Sequence, residues 1–184
     1  MKNKSVTLTI ITVISAFYLI ELIHPDIIKS FALYRWDYFS VTHEYYRLLT
    51  VALVHDNSST IPLHLILNMF NLYIIGTMVE AYLGRARYLA VFFISLVTGS
   101  LASSLFMDWY GISIGASGAV YGVLGAFAVL GNRNRESLRS AFGLVAVTVI
   151  VGLTIPGIDW RAHIGGLIGG AATTAVLLAT TKRF

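Results

Sequence analysis

Six apolar stretches, each near bilayer-crossing length, constrain this chain more than any other feature. They fall at 6–23, 61–79, 88–107, 115–130, 141–155 and 162–180, and about 20 apolar helical residues cross a hydrocarbon core roughly 30 Å thick. In lipid every backbone N–H and C=O must be satisfied within the protein, which favours helices over open strands. Composition agrees: 57% of the 184 residues are hydrophobic and 12% are charged, where a soluble domain carries about 25% charge. The expected fold is an all-α polytopic membrane protein, one domain over 1–184 with six transmembrane helices. The fourth stretch reaches only about 24 Å at about 1.5 Å per residue, and a short helix is tolerated where it lines a cavity.

The basic residues orient this bundle. With loops assigned in alternation, Lys2, Lys4, Arg85, Arg87, Arg133, Arg135, Arg139, Lys182 and Arg183 fall on one side, and Lys29, Arg35, Arg47 and Arg161 on the other. The positive-inside rule makes the richer side cytoplasmic, so both termini are expected there. Lys2 and Lys4 precede the first stretch as in a signal peptide, but that stretch is long for an h-region and no A-x-A cleavage site follows. It is expected to stay as the first helix. No long basic run points to nucleic acid. The absence of cysteine excludes disulfides, thiolate metal sites and a cysteine nucleophile.

The connection 25–60 is too long for a simple turn. It mixes Tyr34, Trp36, Tyr38, Phe39, Tyr45 and Tyr46 with charges. Amphipathic aromatics suit the headgroup layer, so a partly helical element lying in the interface is expected.

Strongly polar side chains within the spans are costly and are functional candidates by default. They are His64, Asn68, Asn71, Glu80, Ser117, Tyr121 and His163. His64 and Asn68, four apart, share one helix face, with Asn71 on nearly the same stripe. Ser117 stands near the start of the fourth helix in GASGAVYG, where free N–H groups and the positive dipole end favour an anion. Tyr121 lies one turn further on the same face. His163 opens the sixth helix in AHIGGLIGG, followed by Gly166 and Gly170. Singly, these residues have a simpler explanation, since intramembrane Asn and His join helices by hydrogen bonds and spaced glycines make packing seams.

The combination changes the weighing, because the topology places His64, Asn68, Ser117 and His163 in the outward half together. Hydrolysis of a peptide bond by serine needs a nucleophile, a base and donors for the tetrahedral oxyanion. Ser117 is the candidate nucleophile and His163 the base. His64, Asn68 and the Ser117 backbone N–H are the candidate oxyanion donors. No acidic residue is placed to complete a triad, so a Ser–His dyad is expected, with Tyr121 packed against the imidazole and no metal or cofactor. Protonation of His163 would remove the base, so the rate is expected to fall on acidification.

These residues resemble the rhomboid family of intramembrane serine proteases. The likeness rests on GASGAVY around Ser117, on A-H-x-x-G-x-x-x-G at Ala162, His163, Gly166 and Gly170, on HLILN at His64 and Asn68, and on G-x-x-x-E-x-x-x-G at Gly76, Glu80 and Gly84. Four motifs in the family's order span nearly the whole chain. The resemblance implies a minimal six-helix protease of a prokaryotic plasma membrane, its site opening to the extracytoplasmic side. Its partners would be the lipid bilayer and single-pass or multi-pass transmembrane substrates. By the same resemblance Tyr46 and Arg47 look like the family's Trp-Arg element with Tyr in place of Trp. Glu80, expected at the cytoplasmic end between Gly76 and Gly84, reads as a structural clamp for the short loop to the third helix.

Other hydrolytic chemistries fit worse. An α/β-hydrolase elbow needs glycine where Ala119 stands and a strand before the serine. No H-E-x-x-H is present for a metalloprotease, and Asp108 and Asp159 fall at expected loop edges rather than at membrane depth. A transporter would show an inverted repeat or interrupted helix pairs, and neither is apparent. The alternative that stays open is a catalytically silent rhomboid-like protein that binds membrane clients. Lateral substrate access between the second and fifth helices is expected, since the fifth is short and lacks strongly polar residues.

Overall fold

The buried residues of the first helix, α1 (Val6–Ile23), are Thr7, Ile14, Tyr18 and Glu21. Their spacing draws one stripe along a helix of about 3.6 residues per turn. The opposite side of α1 carries exposed Leu19 and Ile23, as a lipid-facing surface would. The computed structural model describes residues 5–58, 62–108, 111–131, 146, 150 and 158–180.

After α1 come the short helices α2 (Ile27–Phe31), α3 (Trp36–Thr42) and α4 (Arg47–Thr50), with strand β1 (Leu33–Tyr34) between the first two. The long helices α5 (Leu63–Leu83) and α6 (Arg85–Phe106) follow, then strand β2 (Ile112–Ser113), α7 (Ser117–Gly131) and α8 (Trp160–Thr180). Helices α1, α5, α6 and α8 are long and apolar enough to cross a membrane, and α7 is a shorter apolar helix. The protein is a helical membrane protein. The expected fifth span, 141–155, lies outside the described residues apart from 146 and 150.

Helix α1 keeps its expected bounds, but α5 runs past 79 to Leu83 and α6 starts at Arg85. Only Gly84 separates them, at φ +77°, a conformation glycine adopts without the steric cost other residues meet. Apolar composition marks the lipid-embedded part of a helix, so polar end turns such as Arg85–Arg87 escaped the sequence estimate. Within α5, a π-helical turn spans Leu72–Gly76. Such a turn shifts the faces on either side of it relative to one another, and it separates His64 and Asn68 from Glu80.

Glu80 ties α5 to α1. Its carboxylate accepts from Ser5 Oγ and Thr7 Oγ1 at 2.6 Å, from the Val6 N–H at 2.7 Å and from the Thr7 N–H at 2.9 Å. These are the orphan donors of a helix start, for which a carboxylate is well suited. The clamp therefore grips the start of α1 rather than the loop to the third helix. Gly76 makes room there, since a Cβ at this position would sit 2.8 Å from the Tyr88 hydroxyl and 3.0 Å from Thr7 Cγ2.

Helices α6, α7 and α8 pack along a seam of glycines. A Cβ at Gly99 would lie 2.8 Å from the Ala162 carbonyl oxygen and 3.2 Å from Gly118 Cα. One turn deeper, a Cβ at Gly166 would overlap the Gly118 carbonyl, and one at Gly170 the Gly122 carbonyl. Bare backbone on both sides lets helices approach closely, the main source of helix association in lipid. This contact brings the backbone at Gly118, which follows Ser117, against Ala162, which precedes His163.

Candidate active site

Segment 27–56 is folded around Arg47. The Arg47 guanidinium donates to the carbonyls of Lys29 at 3.0 Å and Ala32 at 2.8 Å, pairs with Glu44 at 2.9 Å, and lies over the rings of Tyr34 and Tyr46. Arg47 is buried, and its fork satisfies carbonyls that no helix uses. Tyr46 adds a hydrogen bond to the Ser30 carbonyl at 3.3 Å. The segment then grips the chain leading to Ser117. Strand β1 pairs antiparallel with β2, Leu33 opposite Ser113 and Tyr34 opposite Ile112, and the Gly115 N–H donates to the Val51 carbonyl at 2.9 Å.

Ser117 is the first residue of α7 and is only half-buried, whereas most of the helix behind it is buried. It therefore stands partly exposed at a helix N-terminus whose first N–H groups have no intrahelical partner. Gly115 sits two residues earlier at φ +106°, and a Cβ there would fall 2.6 Å from His64 Cε1 and 2.8 Å from its Nε2. Glycine is required twice at this point, for its backbone angle and for the imidazole lying against it.

The Asp56 N–H points at His64 Nδ1 at 3.5 Å, an arrangement that suits the neutral tautomer in which Nδ1 accepts and Nε2 carries the proton. A neutral His64 thus presents an N–H donor beside Gly115, on the approach to Ser117. Asn68 is buried, and its Nδ2 donates to the His64 carbonyl at 2.9 Å, which leaves its second amide hydrogen. Asn71 spends its amide similarly on the Leu67 carbonyl at 2.8 Å.

His163, buried in the first turn of α8, stacks on Tyr121 with ring centroids 3.9 Å apart and planes 7° apart. The start of α8 is anchored by Asp159, which accepts from Ser103 Oγ and, at 3.2 Å, from the Ala162 N–H. Arg161 reaches Asp108 at 3.7 Å. The His163 helix is thereby tied to the end of α6. Gly166 and Gly170 lie in the glycine seam, and Gly76, Glu80 and Gly84 gather around the start of α1 and the α5–α6 junction.

The Rhomboid domain family matches residues 42–180. The chain belongs to the rhomboid family. It is 36% identical over 139 residues to the rhomboid protease GluP of Bacillus subtilis, an alignment covering 73% of this chain and 26% of that protein. Likeness to the mitochondrial RHOMBOID-like protein 6 of Arabidopsis thaliana is 34% over 143 residues, covering 74% and 45%. For YdcA of Bacillus subtilis, named a putative rhomboid protease, it is 30% over 132 residues, covering 69% and 64%. The chain thus spans between about a quarter and just under two thirds of these relatives. Rhomboid membership makes intramembrane proteolysis the activity of the family around this chain.

Two buried residues beside this candidate site are not marked out by the sequence analysis. Glu21 and His55 are both fully buried. Glu21 carried a usable signal, an ionisable residue inside an apolar span. His55 lies in the long connection, where nothing in the sequence marks it as buried.

Proposed function

We propose that this chain is an intramembrane serine endopeptidase that cleaves transmembrane protein substrates within or near the bilayer. The observation that carries the reading is the flat stack of His163 on Tyr121, one helical turn from Ser117 and across the backbone contact of Gly118 with Ala162. Ser117 Oγ attacks the scissile carbonyl carbon while the His163 imidazole takes its proton. The oxyanion is received by the Ser117 N–H, by His64 Nε2–H and by the remaining Asn68 amide hydrogen, donors fixed before reaction. His163 then gives its proton to the departing amine. Water, activated by the same imidazole, hydrolyses the acyl-enzyme and frees Ser117.

The site opens to the extracytoplasmic side in this reading, supported by the bias of Lys and Arg among the loops. The substrate enters laterally from the bilayer beside α5; the expected fifth span, 141–155, lies outside the described residues apart from 146 and 150.

The deciding experiment uses purified protein and a model transmembrane substrate, beside Ser117→Ala and His163→Ala. Wild type should cleave and take a serine-directed fluorophosphonate at Ser117, and both variants should do neither. Equal cleavage by Ser117→Ala would overturn the assignment, and a folded wild type inert to both probes would favour a catalytically silent client-binding protein.

A further inference from the structure

The backbone just before α5 is irregular where it runs beside the Ser117 segment. A 3₁₀ turn over Val51–Leu53, which follows α4, ends at Leu53, so the His55 N–H has no helical or strand partner. In a buried, membrane-proximal setting such a group needs an acceptor. Glu21 supplies it: Oε2 accepts the His55 N–H at 3.0 Å, reaching from the last turn of α1 across 34 residues of sequence. Both residues are fully buried. Among the described residues the other carboxyl oxygen, Oε1, has no hydrogen-bond partner. A carboxyl group in such a place costs several kcal/mol by order of magnitude, which a residue contributing only to packing would not justify.

What His55 touches gives that cost a use. The Ala116 N–H points at His55 Nε2 at 3.5 Å, one residue before Ser117. The rings of His55 and His64 lie 5.1 Å apart. His55 is outside the spans, and burial together with neighbouring His64 pushes its pKa down to about 3, against a Leu53 carbonyl that favours the charged form. The ring is therefore neutral and its Nε2 is free to accept from Ala116.

We propose that Glu21 is a positioning residue for the oxyanion side of the site. Its carboxyl oxygen fixes the His55 backbone, and through His55 it sets both the Gly115–Ala116 peptide, one unit before the one that carries the Ser117 N–H, and the His64 ring. The inference rests on the reading of Ser117 and His64 as nucleophile and oxyanion donor. It assigns Glu21 no contact with substrate.

The test compares Glu21→Gln and Glu21→Leu with wild type in steady-state cleavage and in the rate of fluorophosphonate labelling. Gln keeps an oxygen acceptor for the His55 N–H and should hold kcat within about threefold. Leu removes the acceptor and should lower kcat and the labelling rate by about tenfold to a hundredfold, as small misplacements of reacting groups do, with KM nearly unchanged. Wild-type kcat in Glu21→Leu overturns the inference, as does an equal loss in Glu21→Gln. Should Leu fail to fold, Glu21→Asp decides: it keeps a carboxylate but withdraws it by one methylene, and undiminished kcat there also overturns the inference. An inactive wild type is a failure of the proposed function, and a wild type active beside unimpaired Glu21 variants is a failure of this inference alone.

Discussion

The imidazole of His163 lies flat against the phenol of Tyr121, 3.9 Å between centroids and 7° between planes. The two residues come from helices α8 and α7, and their parallel rings fix the plane of the imidazole, which in the proposed mechanism is the plane that presents a nitrogen to Ser117. Aromatic stacking of this kind is worth about 0.5–1.5 kcal/mol beyond area burial, small for folding but sufficient to select one ring orientation.

Tyr121→Phe keeps the ring and is expected to retain kcat within about threefold, whereas Tyr121→Ala frees the imidazole and should lower kcat about tenfold or more. Steady-state cleavage of a transmembrane model substrate checks both. Comparable kcat in the two variants would remove orientation of the base from the account.

Glycine at 166 is a requirement of the helix crossing. A Cβ there would meet the Gly118 carbonyl, so Gly166→Ala must push α8 away from α7 and carry His163 away from Ser117. Overpacking of this kind costs about 1–3 kcal/mol, and both thermal midpoint and cleavage should drop. Ile168→Ala, on the outward side of the same helix at 62% exposure, should stay within about 0.5 kcal/mol of wild type. Equal midpoints for the two variants would contradict the seam.

Gly115→Ala acts on chemistry more than on folding. The new methyl would occupy the place of the His64 imidazole, 2.6 Å from Cε1, and φ +106° strains any side chain by about 1–3 kcal/mol. Losing an oxyanion donor costs about 10²–10³ in kcat, so both Gly115→Ala and His64→Ala should fall by that order. The double variant should be little worse than either single one, because both remove the same donor. Additive losses would place the effect of Gly115 elsewhere.

The sequence carried the helices further than it carried the contacts between them. Apolar length located α1 to the residue and α7 to within two residues, and polar groups inside spans singled out Ser117, His163, His64 and Asn68. Glu80 reads in the sequence as a structural clamp, but its hydrogen-bond partners are not legible there, because Ser5 and Thr7 lie more than 70 residues away and no local pattern links them. The π turn at Leu72–Gly76 is likewise invisible to a count of helical spacing, although it sets which way Glu80 faces. His55 looked like an ordinary loop residue because its burial depends on α1, on the turn ending at Leu53 and on the Ser117 segment closing around it. Glu21 obeyed the same rule that exposed His64 and was passed over in the last turn of an apolar helix.

Buried His55 also predicts how stability depends on pH. Its pKa is depressed from 6.5 to about 3 in the folded protein, so folding favours the neutral ring. Above about pH 6.5 the folded and unfolded chains are both neutral at this position, and the contribution is fully present. Below it the unfolded chain binds a proton that the folded one refuses, and stability is lost progressively until His55 protonates in place near pH 3. The groups facing the ring are His64, the Leu53 carbonyl and the Ala116 N–H, with Asp56 next in the chain and Glu21 on its own amide. His55→Gln, which can still accept from Ala116, should therefore show a thermal midpoint that declines less steeply than wild type between pH 6.5 and 4. Parallel declines in the two proteins would mean that the unfolded chain gains no proton at His55 over the folded one, contrary to its burial.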